Sequence, residues 1–300
     1  MRSWGIGLYA PAGFAIEPAA VTRAVARWEA AGHRVIVDPT ALTRWQRFSA
    51  PDDERLAAVM RMAQDPRVEL AIALRGGYGW SRLLERIDFG AIARSATRWL
   101  GHSDFTAFQL AALAAHGSVT FSGPMGGYDF GAEQVSSFTM QHCWGVLDAD
   151  RYEIRCPLSG DDITTRGTLW GGNLALIAHL VGTPYLPCVD GGILFIEDVG
   201  EHPYRIERML YQLHEAGILG RQRALLLGEF NGYTLGENDN GYDFDAMVAQ
   251  VRTCFGVPVY TGLPFGHCRD KLTLPHGGQC ALTVSGGEAT LAFSGYATAS

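Results

Sequence analysis

The sequence predicts an α/β fold in which the N-terminal part forms a flavodoxin-like or Rossmann-like parallel sheet and a smaller C-terminal α+β domain is rich in β-strands. Three observations indicate this fold. Short apolar runs alternate with segments of helical periodicity through the first half of the chain. The alternation stops at residues 148–165, where acidic residues and glycines cluster. Near the C-terminus, several short strand-like segments follow one another with little helix between them.

The first half contains repeated strand–helix–strand units. Apolar runs at residues 4–10, 35–37 and 68–74 predict buried strands. The helices between them have apolar residues at helical spacing: Val21, Val25 and Trp28 in the first, and Leu56, Val59, Met60 and Ala63 in the second. Units of this length predict right-handed crossovers and a mostly parallel sheet that is covered on both faces.

Residues 148–165 are predicted to form a linker between an N-terminal domain, 1–147, and a C-terminal domain, 166–300. Buried strands are expected at residues 192–197 and 224–228. Helices are expected around apolar stripes, namely Leu174, Ile177, Ala178 and Val181, then Ile206, Met209, Leu210 and Leu213, then Phe244, Met247, Val248 and Val251. Short strands are expected at 257–261, 271–274, 280–284 and 289–293, with His276 in a surface turn.

Composition excludes several classes of function. The chain has 300 residues, 47% of them hydrophobic, and a formal net charge of −7, which argues against a nucleic-acid partner. Lys271 is the only lysine, and no Gly-Lys-Ser/Thr sequence occurs, so a Walker loop is absent and any Schiff-base or Ser-Lys mechanism would have to rest on Lys271. No two cysteines have CxxC spacing, and we expect neither a metal nor a cofactor. The N-terminus lacks a signal-like apolar segment, which predicts a cytoplasmic protein without a membrane anchor.

Ser103 is the first candidate for chemistry. It lies in Gly101-His102-Ser103-Asp104, between a strand candidate and an Ala/Leu-rich helix. A tight strand-to-helix turn exposes a serine hydroxyl and directs free helix amides towards a developing oxyanion. The alternative is that Ser103 or Asp104 only caps the helix.

A glycine-rich loop, Arg75-Gly76-Gly77-Tyr78-Gly79, follows the strand at 68–74. Three glycines allow the backbone to approach a ligand closely, although the spacing differs from that of a dinucleotide-binding fingerprint. An ordinary tight turn explains the pattern equally well. Ligands of parallel sheets bind at the carboxyl ends of strands, which is where this loop and the Ser103 turn are both expected.

Glu197 and His267 complete the candidates. Glu197 lies within an apolar run, where a carboxylate is costly unless it is paired. The acidic segment that continues to His202 has enough ligands for a metal, but not with the spacing of known sites. His267 follows a strand candidate and a glycine–proline turn. Together Ser103, Glu197 and His267 supply a nucleophile, an orienting acid and a base, if the fold brings them together.

Six segments resemble the serine LD-carboxypeptidases, in the order found in that family. They are RGGYGWSRLL from Arg75, GHSDFTAF from Gly101, FSGPM from Phe121, GTLWGGNLA from Gly167, GILFIEDVGEHPYRIERML from Gly192, and FGH ending at His267. Together they extend over most of the chain. We identify the sequence as a member of this family.

The resemblance implies the roles of the site residues. Ser103 would be the nucleophile, Glu197 the orienting acid and His267 the base. The amides of Asp104 and Gly77 would form the oxyanion hole in a site that also includes Arg75 and Gly76. The implied reaction releases terminal D-alanine from murein tetrapeptides during peptidoglycan recycling, without metal or cofactor, in a homodimer.

Two alternatives stay open at this stage. One is an immunity peptidase of the same family that cleaves peptide–nucleotide antibiotics, for which Trp80 or Trp170 would stack on the purine. The other is a non-catalytic protein that binds a muropeptide.

Overall fold

The computed structural model describes residues 2–296 and contains two sheets. The first sheet has six strands in the order β11-β5-β4-β3-β1-β2. Its strands are β1 (Gly5–Tyr9), β2 (Arg34–Val37), β3 (Leu70–Ala73), β4 (Arg98–Gly101), β5 (Thr120–Ser122) and β11 (Leu274–His276). All pair in parallel except β11, which is antiparallel to β5. The parallel strands have the flavodoxin-like order, and the predicted fold class is confirmed.

The second sheet has seven strands in the order β10-β9-β8-β7-β12-β13-β6. They are β6 (Tyr152–Pro157), β7 (Ile163–Asn173), β8 (Ile193–Val199), β9 (Ala224–Asn231), β10 (Val259–Thr261), β12 (Gln279–Ser285) and β13 (Glu288–Ser294). Strands β7 to β10 pair in parallel, whereas β12, β13 and β6 form an antiparallel extension. The sheet is therefore mixed, and the C-terminal part of the chain is rich in strands, as predicted.

Eight α-helices in the described residues cover the sheets. They are α1 (Pro18–Ala30), α2 (Asp52–Gln64), α3 (Phe89–Arg94), α4 (Thr106–His116), α5 (Ser137–Leu147), α6 (Leu174–Leu180), α7 (Pro203–Glu215) and α8 (Phe244–Cys254). Helices α1 and α7 both start at a proline, whose fixed φ suits the first helical turn. Helix α7 buries Ile206, Leu210 and Leu213 of the predicted stripe, whereas Met209 is only partly buried. No helix among residues 2–296 has the length and apolar character needed to cross a membrane.

Both halves of the chain contribute to the same apolar cores. One buried cluster contains Leu100 from β4 together with Phe265, which precedes the candidate base. A second contains Phe108 of α4 together with Leu174 of α6. Burying apolar surface between the sheets fixes their relative position, and with it the cleft between them.

The two sheets do not correspond simply to the two halves of the sequence. Residues 148–165, predicted as a linker, include β6 and the start of β7, both in the second sheet. Strand β11, from the C-terminal half, lies at the edge of the first sheet. The domain boundaries at 147 and 166 stay a prediction.

The prediction for His276 is wrong. His276 is fully buried in β11, where it pairs with Thr120 of β5, and burial lowers its pKa to about 3. The strand expected at 271–274 is displaced to Leu274–His276. The reason is that β11 is stabilised by pairing with β5, which is far away in the sequence. The local residues alone therefore do not predict the strand.

Candidate active site

Ser103 lies on a tight turn between β4 and α4. Its φ of +64° is in the left-handed region, which is rare for residues other than glycine. A single 3-10 turn, Ser103–Phe105, leads directly into α4. No side chain caps α4, so the capping alternative does not account for Ser103 or Asp104. A strained serine at the end of a strand is the geometry of a nucleophile elbow.

The structure brings Ser103, His267 and Glu197 together. His267 Nε2 lies 3.0 Å from Ser103 Oγ, and His267 Nδ1 lies 2.7 Å from Glu197 Oε2. Because a carboxylate only accepts, Nδ1 carries the ring proton, and Nε2 is left to accept the proton of the serine hydroxyl. The arrangement therefore has the polarity that general-base activation of a serine requires.

Glu197 is held from several sides. It is 0% exposed and lies at a bulge in β8, where the pairing with β9 shifts between Ile196 and Asp198. A bulge redirects a side chain, here towards His267. Asn173 at the end of β7 donates its Nδ2 to Glu197 Oε1 at 3.3 Å and to Asp198 Oδ1 at 2.8 Å. Both oxygens of the buried glutamate therefore have a hydrogen-bond donor.

Gly266 makes room for this contact. Its φ is +138°, and a Cβ at this position would lie 3.1 Å from Glu197 Cβ and 3.2 Å from Glu197 Oε2. A glycine before His267 therefore lets the imidazole and the carboxylate approach each other.

The loop at Arg75–Gly79 lies against the elbow. A Cβ on Gly76 would be 2.6 Å from Ser103 Oγ, so only glycine fits there. The carbonyl of Gly76 accepts a hydrogen bond of 3.2 Å from the N–H of Gly13. In a trans peptide, the N–H of Gly77 points away from that carbonyl and hence away from Gly13. A Cβ on Gly76 would also lie 3.4 Å from the backbone nitrogen of Asp104, so the loop packs against both residues of the elbow.

The side chain of Asp104 fixes the position of this loop, a role that sequence reasoning missed. Its Oδ2 accepts the backbone N–H of Trp80 at 3.0 Å, and the backbone amide of Gly79 also lowers the pKa of this carboxyl. Burial raises the pKa of Asp104 to about 6, against the lowering by these amides. The Ser-Asp pair in the sequence was the available signal, since a buried carboxylate beside a glycine loop has amides to bind.

His102 is part of the wall of the site. Its Nδ1 lies 2.8 Å from the carbonyl oxygen of Gly123, and its ring meets that of His267 edge-on at 5.2 Å. Burial and the charge of Lys271 lower its pKa well below the usual value, which keeps the ring neutral. The Ser103 hydroxyl is hydrogen-bonded to His267 and not to His102, so His102 does not act as its base.

The triad opens into a cleft of about 620 Å³ between the two halves. Arg75, Gly76, Gly77, His102, Ser103 and His267 line one end. Lys271 and Asp129 line another part and form an ion pair of 2.7 Å, with Lys271 only 3% exposed. The sequence marked Lys271 as unique, but it gave no partner for it, because that partner is remote along the chain.

The acidic segment after Glu197 does not form a metal site in the described part of the chain. No group of three or more His, Cys, Asp or Glu residues among those residues could hold a metal ion. Asp198 binds Asn173 and the N–H of Ala175 at the start of α6. His202 lies 3.1 Å from Asp239 instead.

A parallel-sheet elbow, an imidazole and a buried carboxylate across a cleft are features of hydrolytic enzymes. Comparison with known proteins gives the family. The family model of the LD-carboxypeptidase N-terminal domain matches residues 6–123, and that of the C-terminal domain matches residues 166–282. The chain belongs to the LD-carboxypeptidase family, a family of peptidases, and the resemblance found in the sequence is confirmed.

Individual relatives agree with this assignment. A probable murein peptide carboxypeptidase of Bacillus subtilis is 29% identical, with 93% of this chain and 89% of that protein covered. The crystal structure of muramoyltetrapeptide carboxypeptidase from Oxalobacter formigenes has 44% identity and a TM-score of 0.92, with coverage of 98% and 99%. Microcin C7 self-immunity protein MccF, in complex with aspartyl sulfamoyl adenosine, has a TM-score of 0.88 at 21% identity, with 98% of each chain covered, and shares the fold.

Proposed function

We propose that this protein is a serine LD-carboxypeptidase that releases the terminal D-alanine from murein tetrapeptides. The observation that carries the proposal is the hydrogen-bonded series of Ser103, His267 and Glu197 at the cleft. The names of the Bacillus and Oxalobacter relatives support murein peptides as the substrate class. Diaminopimelate or lysine would precede the D-alanine.

The first half of the reaction acylates Ser103. The hydroxyl gives its proton to His267 Nε2 while Oγ attacks the carbonyl carbon next to D-alanine. Glu197, bound to Nδ1, stabilises the imidazolium that forms. Collapse of the tetrahedral intermediate breaks the C–N bond, and the proton on Nε2 goes to the nitrogen of the departing D-alanine.

The second half regenerates the serine. Water gives a proton to His267 Nε2 and attacks the acyl carbon, and the proton returns to Ser103 Oγ as the C–O bond breaks. In both halves the carbonyl oxygen becomes negative. The amides of Asp104 and Gly77 are the proposed donors to this oxyanion, because Asp104 follows the nucleophile and Gly77 follows Gly76, which packs on Ser103.

The decisive experiment measures D-alanine release from a purified tetrapeptide. Ser103→Ala and His267→Ala are each expected to lower kcat by about 10⁴-fold or more, and Glu197→Gln by a smaller factor. Cys143→Ala, a change at a buried residue that does not line the cleft, is the control for folding. Activity of Ser103→Ala within tenfold of the wild type would remove this serine from the mechanism.

The same assay separates the alternatives. A muropeptide-binding protein without catalysis would release no D-alanine, and an immunity peptidase would prefer an aminoacyl nucleotide. Trp80 and Trp170, the aromatic candidates for purine stacking, are 0% and 1% exposed. Neither ring can stack on a purine from that position, so nothing in these residues favours the nucleotide substrate.

Location and assembly complete the proposal. We expect a cytoplasmic homodimer without metal or cofactor. Cell fractionation tests the first statement and light scattering of the purified protein the second. A chelator that abolishes activity, with zinc restoring it, would contradict the metal-free mechanism.

A further inference from the structure

A carboxypeptidase must recognise a negative charge next to the bond that it cleaves. The terminal carboxylate of the substrate is only a few bonds from the scissile carbonyl, so its binding group must lie beside the nucleophile. Three permanently or usually charged cations line the cleft: Arg75, Arg269 and Lys271. Their surroundings differ, and the difference selects one of them.

The charge of Lys271 is already balanced by an acidic partner. Its Nζ lies 2.7 Å from Asp129 Oδ1 in a buried ion pair, and Asp129 Oδ2 accepts the N–H of Met125 at 2.7 Å. A buried pair of this kind has little charge left for a ligand. Arg269 is exposed to solvent, where water screens the charge. Lys271 is therefore paired and Arg269 is screened by water.

Arg75 is half-buried and has no acidic partner. No Asp or Glu within residues 2–296 forms an ion pair with it. Nη1 donates to the carbonyl of Phe14 at 3.2 Å, whereas Nε is buried without a hydrogen-bond partner. A guanidinium that lines the cleft and has free donors is suited to a planar carboxylate.

The loop that packs on the nucleophile also carries this guanidinium, and both line the same cleft. Arg75 immediately precedes Gly76, whose α-carbon packs on Ser103. A Cβ on Gly13 would lie 3.1 Å from Arg75 Cζ, and one on Gly77 would lie 3.5 Å from Arg75 Nη2. The side chain is therefore confined between two glycines, one of which belongs to the proposed oxyanion loop.

We propose that Arg75 binds the C-terminal carboxylate of the substrate and so restricts the enzyme to the last peptide bond. This inference rests on the proposed function, because it assigns the same cleft to a peptide. The alternative is that Arg75 only fastens the loop at Gly76 to the loop at Phe14. The two roles differ in one respect: only the first depends on the charge of the substrate.

The test compares a tetrapeptide with a free C-terminus and the same peptide as a C-terminal amide. For the wild type we expect the free acid to be strongly preferred. Arg75→Gln is expected to lower kcat/KM for the acid by about 100-fold, mainly through KM, and to change the amide by less than about threefold. Arg75→Lys should lose about tenfold for the acid, because an ammonium cannot make the paired contact. Arg208→Gln, at an exposed arginine of α7 that does not line the cleft, is the matched control and should leave kcat/KM for both substrates unchanged.

A binding measurement separates this proposal from the hydrolytic one. In the Ser103→Ala background, calorimetry with the two peptides measures affinity without turnover. Tighter binding of the acid that disappears with Arg75→Gln supports the carboxylate site, even if the wild type released no D-alanine. Equal binding of acid and amide, no binding of either, or equal losses for both substrates in Arg75→Gln would overturn it.

Discussion

The backbone N–H of Asn173 donates a hydrogen bond of 3.0 Å to Thr106 Oγ1. Thr106 begins the helix that follows the nucleophile, and Asn173 contacts the buried glutamate with its side chain. One buried hydroxyl therefore connects the element that positions Ser103 to the element that positions Glu197. The two elements extend from different sheets.

Thr106→Val tests this connection. Valine has nearly the same shape but leaves the N–H of Asn173 buried without an acceptor, at a cost of about 1–3 kcal/mol in the free energy of unfolding. We also expect kcat to fall by about tenfold, because the histidine and serine shift relative to each other. Thr106→Ser keeps the hydroxyl and should retain most activity. Urea unfolding and tetrapeptide hydrolysis measure both effects, and equal kcat in the two variants would contradict the prediction.

Gly76→Ala tests the close approach of the glycine loop to the elbow. The added methyl group would lie 2.6 Å from Ser103 Oγ, so the loop or the serine must move. A displacement of this size is expected to lower kcat by about 100-fold or more. Gly220→Ala is the matched control, because a Cβ there meets nothing within 4 Å. Steady-state kinetics of both variants, with circular dichroism to check folding, distinguishes a local clash from general instability.

The sequence indicated the parts of this site that depend on local patterns. Ser103 is in a strand-to-helix turn, and Glu197 is a carboxylate within an apolar run, so both are visible without a structure. Local patterns do not predict two other features, namely the antiparallel strand that contains His276 and the ion pair between Lys271 and Asp129. Both depend on segments far apart in the chain, and neither burial nor pairing at such positions follows from local propensity.

The pH dependence of stability reflects the buried carboxylates. Burial raises the pKa of Asp104 to about 6, and burial together with the charge of Glu197 raises that of Asp198 to about 6. Between about pH 4 and 6 the folded protein therefore binds protons that the unfolded chain has released. Stability that these groups contribute is present at low pH and is lost as the pH rises through about 6.

Asp104→Asn removes one of these titrations. The difference in unfolding free energy between pH 4.5 and 7.5 is expected to change by about 2 kcal/mol, in the direction that favours the variant at high pH. Asp38→Asn is the control. Burial raises the pKa of Asp38, but hydrogen bonds from Arg61 and Thr40 lower it more, so it titrates below this pH window. Urea unfolding at the two pH values gives the slopes, and an unchanged slope in Asp104→Asn would refute the assignment.

The ion pair between Lys271 and Asp129 is expected to stabilise the wall of the cleft. Lys271→Met leaves Asp129 buried without its cation and should cost about 3–5 kcal/mol in the free energy of unfolding. In Lys271→Met with Asp129→Asn no buried charge remains, so the double variant should be more stable than the sum of the single losses predicts. Arg86→Met breaks an exposed pair with Asp53 and should change little. Additive losses in the double-mutant cycle would mean that the two side chains stabilise the protein independently.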